Sequence, residues 1–496
     1  MAALAVLLVA ALLAGCGEAP PTAPADIRFG LPTAPVTLDP RYASDAVSYR
    51  VVRLLHRAPV DFDAAANPVP DLMRWQQLGP RRWRFTLVED AYFDDGTAVA
   101  AVDVVATYRS VLDPATASPH RGSLANIATV TAVGARDVDF ELVEPDALFP
   151  GTLVVGVLAA ADLAADAGRD QWRHGSGAFV RVSWQRAGEL VMERRRDHQR
   201  VRFVTVREPA VRAMKLIGGE LDIVQGNLSP ELWRWLAARP GLRGQQVAGT
   251  TFSYLGFNLV DPVAGHRAIR RALAHAIDRA AIVQYLFGGT ARLAQGLFPP
   301  EHWAGTTDLE APAHDPAAAR RLLAAAGFAD GVRLTYKTSS DPFRLRLATV
   351  LQSQLAAVGI TLEVQSYDWG TFYGDVTQGR FQVYGLSWVG LRLPDIFRHA
   401  FHSRAVPPAG ANRGRYASAT ADRLIERAER AGNRPARVAA YHALARHLLY
   451  DLPCVPLWFE DQLLVTRDDI VGYTTDAAGS FDALSRITRK APRVPH

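Results

Sequence analysis

Few residues of this chain have the types and spacing that catalysis requires. Gly175-Ser176-Gly177 lacks the Gly-x-Ser-x-Gly spacing of a hydrolase nucleophile elbow, so Ser176 is interpreted as a turn residue. His399 and His402 could share one face of a helix, but a lone histidine pair without a carboxylate or cysteine beside it is a weak metal signal. The sequence therefore predicts no enzyme, no cofactor and no metal site. A hydrolase that uses Ser176, or a metal held by the two histidines, stays open as an alternative.

The start of the chain has the features of a lipoprotein leader. Residues 2–13 are apolar and uncharged, and they end in Leu13-Ala14-Gly15-Cys16. Small residues before a cysteine suit a lipoprotein signal peptidase, so residues 1–15 are predicted to be removed and Cys16 to carry the lipid anchor. The alternative is a transmembrane helix, although the run is shorter than the ~20 residues that a span needs. The expected location is the periplasm or the outer cell surface, with the protein membrane-anchored through Cys16.

Composition and length describe the part that follows. Residues 16–25 are rich in Ala, Pro and Thr and are predicted to form a flexible tether. Only Cys454 remains after Cys16, so no intramolecular disulfide is expected. With 496 residues the chain is too long for one hydrophobic core. A net charge of +5 with scattered arginines argues against nucleic-acid binding.

The folded part is predicted to be mixed α/β. Alternating polarity in 179–184 and 190–193, around a turn at 186–188, indicates a hairpin. Asp315 and Gly327 are typical of the start and the end of a helix, and Gly359 ends another helix immediately before an alternating strand at 360–364. No repeat of 20 to 50 residues is present.

A series of short motifs then follows in a fixed order along about 430 residues. The motifs are Leu38-Asp39-Pro40, 92–97, Asp103-Val104-Val105 with Tyr108, 175–179, 214–223, Phe257-Asn258, 271–279, 315–328, 355–360, Trp369, Ser387-Trp388, Asp422-Arg423-Leu424 and 453–457. Together they resemble extracellular solute-binding protein family 5, the dipeptide- and oligopeptide-binding lipoproteins of ABC transporters. Each motif is modest alone, but chance would not keep so many of them collinear.

The resemblance implies a periplasmic-binding-protein fold of type II, in the large variety with an extra inserted domain and a ligand cleft between two lobes. The implied divisions are 26–45 with 165–256 and 460–496 for lobe one, 46–164 for the inserted small domain, and 257–459 for lobe two. The chain is expected to cross between the lobes near Phe257 and Glu460, which would act as the hinge.

The resemblance also implies a set of cleft residues. Trp369 and Trp388 would offer flat apolar surface, with a buried core position as the alternative. Ser387, Val389 and Gly390 occupy the place where family members pair with an extended peptide. Ser44 would face them from lobe one, and Asn258 would lie at the crossing, either bonding the ligand or holding a turn.

One departure from the family concerns ligand charge. Peptide-binding members carry an aspartate shortly after the tryptophan, and this carboxylate neutralises the peptide ammonium. Here Leu391 takes that position and Arg392 follows it. If Arg392 points into the cleft, an anionic ligand is favoured. Asp395 and Asp45 are the nearest acids that could restore an ammonium site.

The implied function is the substrate-binding component of an ABC importer for peptides or a related small polar solute. The implied partners are an ABC permease and its ATPase subunits, and the protein itself is expected to be a monomer. An anchored peptide-binding sensor or chaperone without a transport role is the competing interpretation.

Overall fold

A computed structural model describes residues 26–164 and 170–490 of the chain. The predicted leader, the tether and Cys16 lie outside the described residues. Within these two ranges, no helix combines the length and the apolar composition that a membrane span needs.

Nineteen strands are present in the described residues, and we number them in chain order. They are β1 Ile27–Leu31, β2 Val60–Phe62, β3 Pro68–Pro70, β4 Met73–Gly79, β5 Arg82–Leu87, β6 Ile127–Val133, β7 Asp137–Leu142, β8 Phe179–Trp184, β9 Glu189–Arg194, β10 Arg200–Thr205, β11 Ile223–Gln225, β12 Leu242–Phe257, β13 Ala291–Leu293, β14 Val332–Ser339, β15 Ile360–Tyr367, β16 Val383–Trp388, β17 Cys454–Arg467, β18 Ile470–Val471 and β19 Thr488–Arg489.

The α-helices of the same ranges are named below by their bounds. They are Ala46–Leu55, Ala101–Leu112, Ala160–Ala164, Pro209–Ile217, Pro230–Ala237, Arg267–Ala276, Arg279–Ala281, Pro316–Ala325, Pro342–Ala356, Trp369–Gln378, Ile396–Phe401, Ala419–Arg430 and Arg434–Asp451. Strands and helices alternate along the chain, which confirms the mixed α/β class.

Local sequence signals account for several of these elements. Asp315 caps the helix Pro316–Ala325 by accepting a hydrogen bond from the Ala318 N–H at 2.8 Å, as predicted. Gly359 adopts a φ of +91°, which an L side chain rarely adopts, and strand β15 begins immediately after it. The predicted hairpin is confirmed as the antiparallel pair β8 and β9.

One large sheet runs through most of the molecule. Its strand order is β15-β14-β16-β12-β17-β11-β1-β10-β9-β8, and β13 pairs with β17. The two long antiparallel strands β12 and β17 lie at its centre, so the lobe-one strands lie on one side of them and the lobe-two strands on the other. A separate sheet, β4-β5-β7-β6, belongs to the predicted insert.

The insert has a core of its own. Its sheet packs with the helix Ala101–Leu112 around buried Phe85, Tyr108 and Phe140. Leu148 of the insert instead packs into the core of lobe two beside Phe397. The insert therefore contacts lobe two as well as lobe one.

The passage between the lobes lies in β12 and β17. These strands pair from Leu242 to Val247 and again from Thr251 to Gly256, with an irregularity between the two runs. A Cβ at Gly249 would come within 2.1 Å of the Glu460 carbonyl oxygen, so the close approach of the two backbones requires glycine there. Residues Phe252–Phe257 already pair with β16 of lobe two. We therefore propose the first crossing at 248–250 instead of near Phe257. The second crossing stays a prediction near Glu460, which pairs with Thr251.

Candidate functional site

A large cavity lies where the two lobes and the insert meet. Its volume is about 1960 Å³. Its walls include parts of segments 42–53 and 225–232 from lobe one and the insert, and parts of 339–346 and 386–392 from lobe two. Binding sites of proteins are commonly concave and lie at such domain interfaces, so this cavity is the candidate site.

The structure brings most of the predicted site residues together at this cavity. Seven of the nine predicted ligand-binding residues line it, and they are Ser44, Trp369, Ser387, Trp388, Val389, Gly390 and Arg392. The other two, Asn258 and Asp395, lie outside its lining. Cys16, the predicted lipidation site, is not among the described residues.

The two predicted tryptophans differ in their surroundings. Trp388 ends strand β16, is half-buried, and packs against the core of lobe two. Trp369 begins the helix Trp369–Gln378, is 54% exposed, and stacks on Tyr373 with ring centroids 5.4 Å apart. Trp388 is therefore the more rigidly held aromatic surface of the cavity wall.

The edge of strand β16 is partly free. On one side β16 pairs with β12 along its whole length, from Phe252↔Trp388 to Phe257↔Val383. On the other side it pairs with β14 only at Val383 and Tyr384. Strand β14 then continues beside β15 alone as far as Ser339. The backbone of 386–388 consequently lines the cavity, and no strand of the described residues pairs with it on that edge, which suits pairing with an extended ligand.

The Ser387 side chain belongs to a polar network below this edge. Its hydroxyl lies 2.6 Å from the Ser253 hydroxyl, which donates to Glu460 at 2.5 Å. Arg344 completes the network with an ion pair to Glu460 at 2.9 Å. Burial alone would raise the pKa of Glu460, but Arg344 and Ser253 hold this pKa below its ordinary value. The network ties β12, β16 and β17 together next to the crossing.

Arg392 lines the cavity, but its charge is already offset. The guanidinium lies 3.4 Å from an Asp61 oxygen of the insert and 3.3 Å from an Asp476 oxygen of lobe one. Because two carboxylates face it, Arg392 does not act as the free cation that the sequence suggested. It instead joins lobe two to the other half of the molecule.

Asn258 has the structural role that the sequence left open. Its side-chain amide donates to the carbonyl oxygens of Gly379 and Phe381 at 3.2 and 3.1 Å. These bonds hold the segment that leads into β16. The expected ligand contact is therefore corrected, because the side-chain amide donates to the protein's own backbone.

Asp395 also departs from the prediction. It immediately precedes the helix Ile396–Phe401 and lies outside the cavity lining. Burial, and then the neighbouring Asp146, raise the pKa of Asp395 to about 7. Asp146 itself has a pKa raised to about 7 by burial and by Glu429. This carboxyl pair cannot serve as the ammonium site of the cavity.

Sequence reasoning missed several charged residues of the cavity, among them the buried Arg413. Only 6% of this residue is exposed, and its guanidinium lies 4.4 Å from the centre of the Trp388 ring. The hydroxyl oxygens of Tyr254 and Tyr373 each accept a hydrogen bond from it at 3.2 Å. Arg413 lies in an irregular loop among other arginines, so no periodicity or motif distinguishes it in the sequence.

The alternative catalytic residues are not arranged for catalysis. The Ser176 hydroxyl is 3% exposed and accepts a hydrogen bond from the Arg57 backbone N–H at 3.0 Å. His399 lines the cavity, whereas His402 is buried beside Asp422 and Glu426. The two histidines therefore do not face a common site.

Among the described residues, one other cluster contains side chains of the types that bind metals. Atoms of Asp94, Asp95 and His174 lie within 4.8 Å of one another, away from the cavity lining. The His174 Nδ1 atom already lies 2.8 Å from an Asp94 oxygen, so an internal hydrogen bond accounts for this pair.

Comparisons with known proteins agree with this architecture. Residues 67–402 match the model of the bacterial extracellular solute-binding proteins, family 5 Middle. Among relatives, a probable di/tripeptide-binding protein 5 of Pseudomonas aeruginosa is 28% identical over 87% of this chain and 89% of its own length. The periplasmic murein peptide-binding protein MppA of Escherichia coli is 25% identical over 86% of each chain.

A solved structure supports the fold. The ABC transporter-associated periplasmic binding protein DppA of Helicobacter pylori, in complex with the peptide STSA, superposes with a TM-score of 0.85. The identity is 21%, and the match covers 95% of this chain and 99% of the other. The chain therefore has the two-lobed α/β fold of type II that the motifs predicted.

Proposed function

Because the chain belongs to the bacterial extracellular solute-binding proteins of family 5, we propose that it is the substrate-binding component of an ABC importer. It captures peptides, or a related small polar solute, and releases them unaltered. The relatives named above as di/tripeptide- and murein peptide-binding proteins support peptides as the first class of ligand to test.

The observation that carries this proposal is the shared cavity. Both lobes and the insert contribute to its walls, and β12 and β17 join the lobes behind it. A ligand that contacts both lobes only when they are shut has a higher affinity for the shut form, so binding shifts the population toward closure. Closure then presents a surface that a permease can distinguish from the open form.

The free edge of β16 supports a peptide in an extended conformation. Backbone groups of 386–388 would pair with the peptide main chain, and Trp388 would cover one side chain. Ser44 would approach from the opposite wall, where it precedes the helix Ala46–Leu55. Main-chain pairing would give affinity for many sequences, because every peptide offers the same backbone groups.

We also propose the anchored location. Cys16 would carry the lipid, residues 16–25 would act as the tether, and the folded lobes would stand at the membrane surface in the periplasm or outside the cell. The relative MppA is named as periplasmic, which supports an exported protein. A monomer is proposed, with an ABC permease and ATPase subunits as partners.

Native mass spectrometry of the protein purified from its own host tests the proposal. We expect a co-purified peptide or small solute that is lost on unfolding and bound again by the refolded protein. Prolonged incubation should return the same ligand mass, because no bond is broken. A cleaved ligand would favour the hydrolase alternative, and a refolded protein that binds neither the released ligand nor a pool of di- and tripeptides would contradict the proposal.

A further inference from the structure

We infer that the cavity contains a subsite for a carboxylate or another anionic group of the ligand, and that Arg413 is the cation that binds it. This inference deepens the proposed function and rests on it. It names the charged group of the captured peptide or solute that the protein recognises. The residue that recognises it, Arg413, lies outside the motifs given above.

The surroundings of Arg413 hold its guanidinium in a fixed place. Tyr254 and Tyr373 accept one hydrogen bond each, and the ring of Trp388 lies 4.4 Å away on its face. An arginine side chain has five N–H donors, so three remain after these two bonds. A carboxylate takes two parallel donors from such a planar group.

The charge of Arg413 has no carboxylate partner within 26–164 and 170–490. The Nε atom is buried and makes no hydrogen bond there. Three other arginines of the same cavity have carboxylate partners, whereas Arg50 and Arg415 hydrogen-bond to backbone carbonyl oxygens. The ion pairs are Arg53 with Asp61 and Asp482, Arg344 with Glu460, and Arg392 with Asp61 and Asp476.

A guanidinium so deeply buried is costly unless an opposite charge accompanies it. Arg413 is buried more deeply than Arg50 and Arg415, so its missing partner is best supplied by the ligand. Two tyrosine hydroxyls are neutral and cannot offset the charge. The subsite is thus complete only when an anion occupies it.

Two histidines of the cavity wall add no negative charge that would attract an ammonium group. His399 and His120 both line the cavity, one from lobe two and the other from the insert. Burial, and then Arg413 and His120, lower the pKa of His399 to about 4, so it is neutral at pH 7 and offers an N–H donor. Leu391, at the position of the family's aspartate, is 8% exposed and packs in the core of lobe two.

The experiment uses four pools of the same di- and tripeptides with the refolded, ligand-free protein. One pool is unmodified, one is N-acetylated, one is C-amidated, and one carries both modifications. Retention by the protein is measured by mass spectrometry. We expect pools with a free carboxylate to bind about ten- to a hundredfold more tightly than amidated pools, whether or not the amine is blocked.

The variant Arg413→Gln tests whether Arg413 causes this preference for free carboxylates. We expect the variant to bind free-acid pools no better than amidated ones. Arg423→Gln removes the same charge from an exposed position on the helix Ala419–Arg430 and should keep the preference of the native protein. Arg413→Lys, which keeps the charge but loses the planar donor pair, is expected to retain a weakened preference and serves if the Gln variant does not fold.

The outcomes separate the two proposals. Equal retention of acid and amide pools by the native protein would overturn the anion subsite and leave peptide capture intact. An acid preference that survives in Arg413→Gln would overturn the assignment to Arg413. If no pool binds at all, peptide capture and the subsite both fail.

Discussion

Replacement of Arg392 by Gln tests how far ion pairs between the two halves of the molecule hold the cavity shut. Arg392 lies in lobe two, whereas Asp61 lies in the insert and Asp476 in lobe one. Both contacts break when the lobes separate. A ligand that needs shut lobes binds less tightly when the shut form is less populated, so we expect Arg392→Gln to weaken ligand binding.

The geometry sets the size of this effect. The two N–O distances are 3.4 and 3.3 Å, and the side chains of Arg392, Asp61 and Asp476 are 18%, 31% and 48% exposed. Partly exposed ion pairs contribute roughly 0.2–1 kcal/mol each, so the two together contribute about 0.4–2 kcal/mol. This corresponds to a Kd raised about two- to thirtyfold. Asp61 keeps its contact with Arg53 at 2.9 Å, so the substitution leaves no isolated charge there.

The assay is a titration of the native protein and the variant with the same peptide, chosen from the pools as the one retained best. Dissociation rates are measured alongside the Kd, and small-angle scattering reports whether the ligand-free protein has expanded. Arg423→Gln is the matched control, since it removes an exposed charge outside the cavity lining. We expect faster dissociation and a larger radius of gyration for Arg392→Gln only.

A double-mutant cycle with Asp476→Asn decides whether the pair itself is responsible. If the contact matters, the double variant should lose less affinity than the two single losses added together. An unchanged Kd and dissociation rate in Arg392→Gln would refute the view that this contact favours closure.

Three further predictions follow from the site and the anchor. Trp388→Ala should weaken ligand binding by about 1–3 kcal/mol, and the exposed Trp369→Ala by less, as measured by calorimetry; equal losses would contradict the ranking. The pKa values of Asp395 and Asp146 are raised to about 7 in the folded protein and are about 4 when unfolded, so their contribution to stability is complete below about pH 4 and is lost by about pH 7; Tm should fall between about pH 4 and pH 7, and Asp395→Asn should reduce that fall. Cys16→Ser should move the protein from the membrane to the soluble fraction, and continued membrane retention would count against the anchor.

The fold could be predicted because its signals are local and collinear. Asp315, Gly327 and Gly359 mark helix ends by backbone geometry that neighbouring residues alone determine. The hairpin of β8 and β9 depends on a short turn and on alternating polarity. Such features form largely independently of the rest of the chain. The order of the sequence motifs then indicated the architecture.

The candidate site was predicted only where a motif lies on one element. Ser387 and Trp388 belong to a single strand, and both line the cavity. Charge pairing was not predictable in this way, because Arg392 and Asp61 are 331 residues apart. Arg413 and Asp395 illustrate the same limit, since their roles depend on which groups distant segments place beside them.

The size of the cavity has a consequence for selectivity. A volume of about 1960 Å³ holds on the order of 60 water molecules at about 30 Å³ each, far more than a dipeptide displaces. Apart from the side chain that Trp388 would cover, a short ligand therefore leaves its side chains largely hydrated instead of packed against the walls. Replacing one ligand side chain by another then changes the number of displaced water molecules more than it changes the direct contacts between ligand and protein. This favours a broad range of ligand sequences.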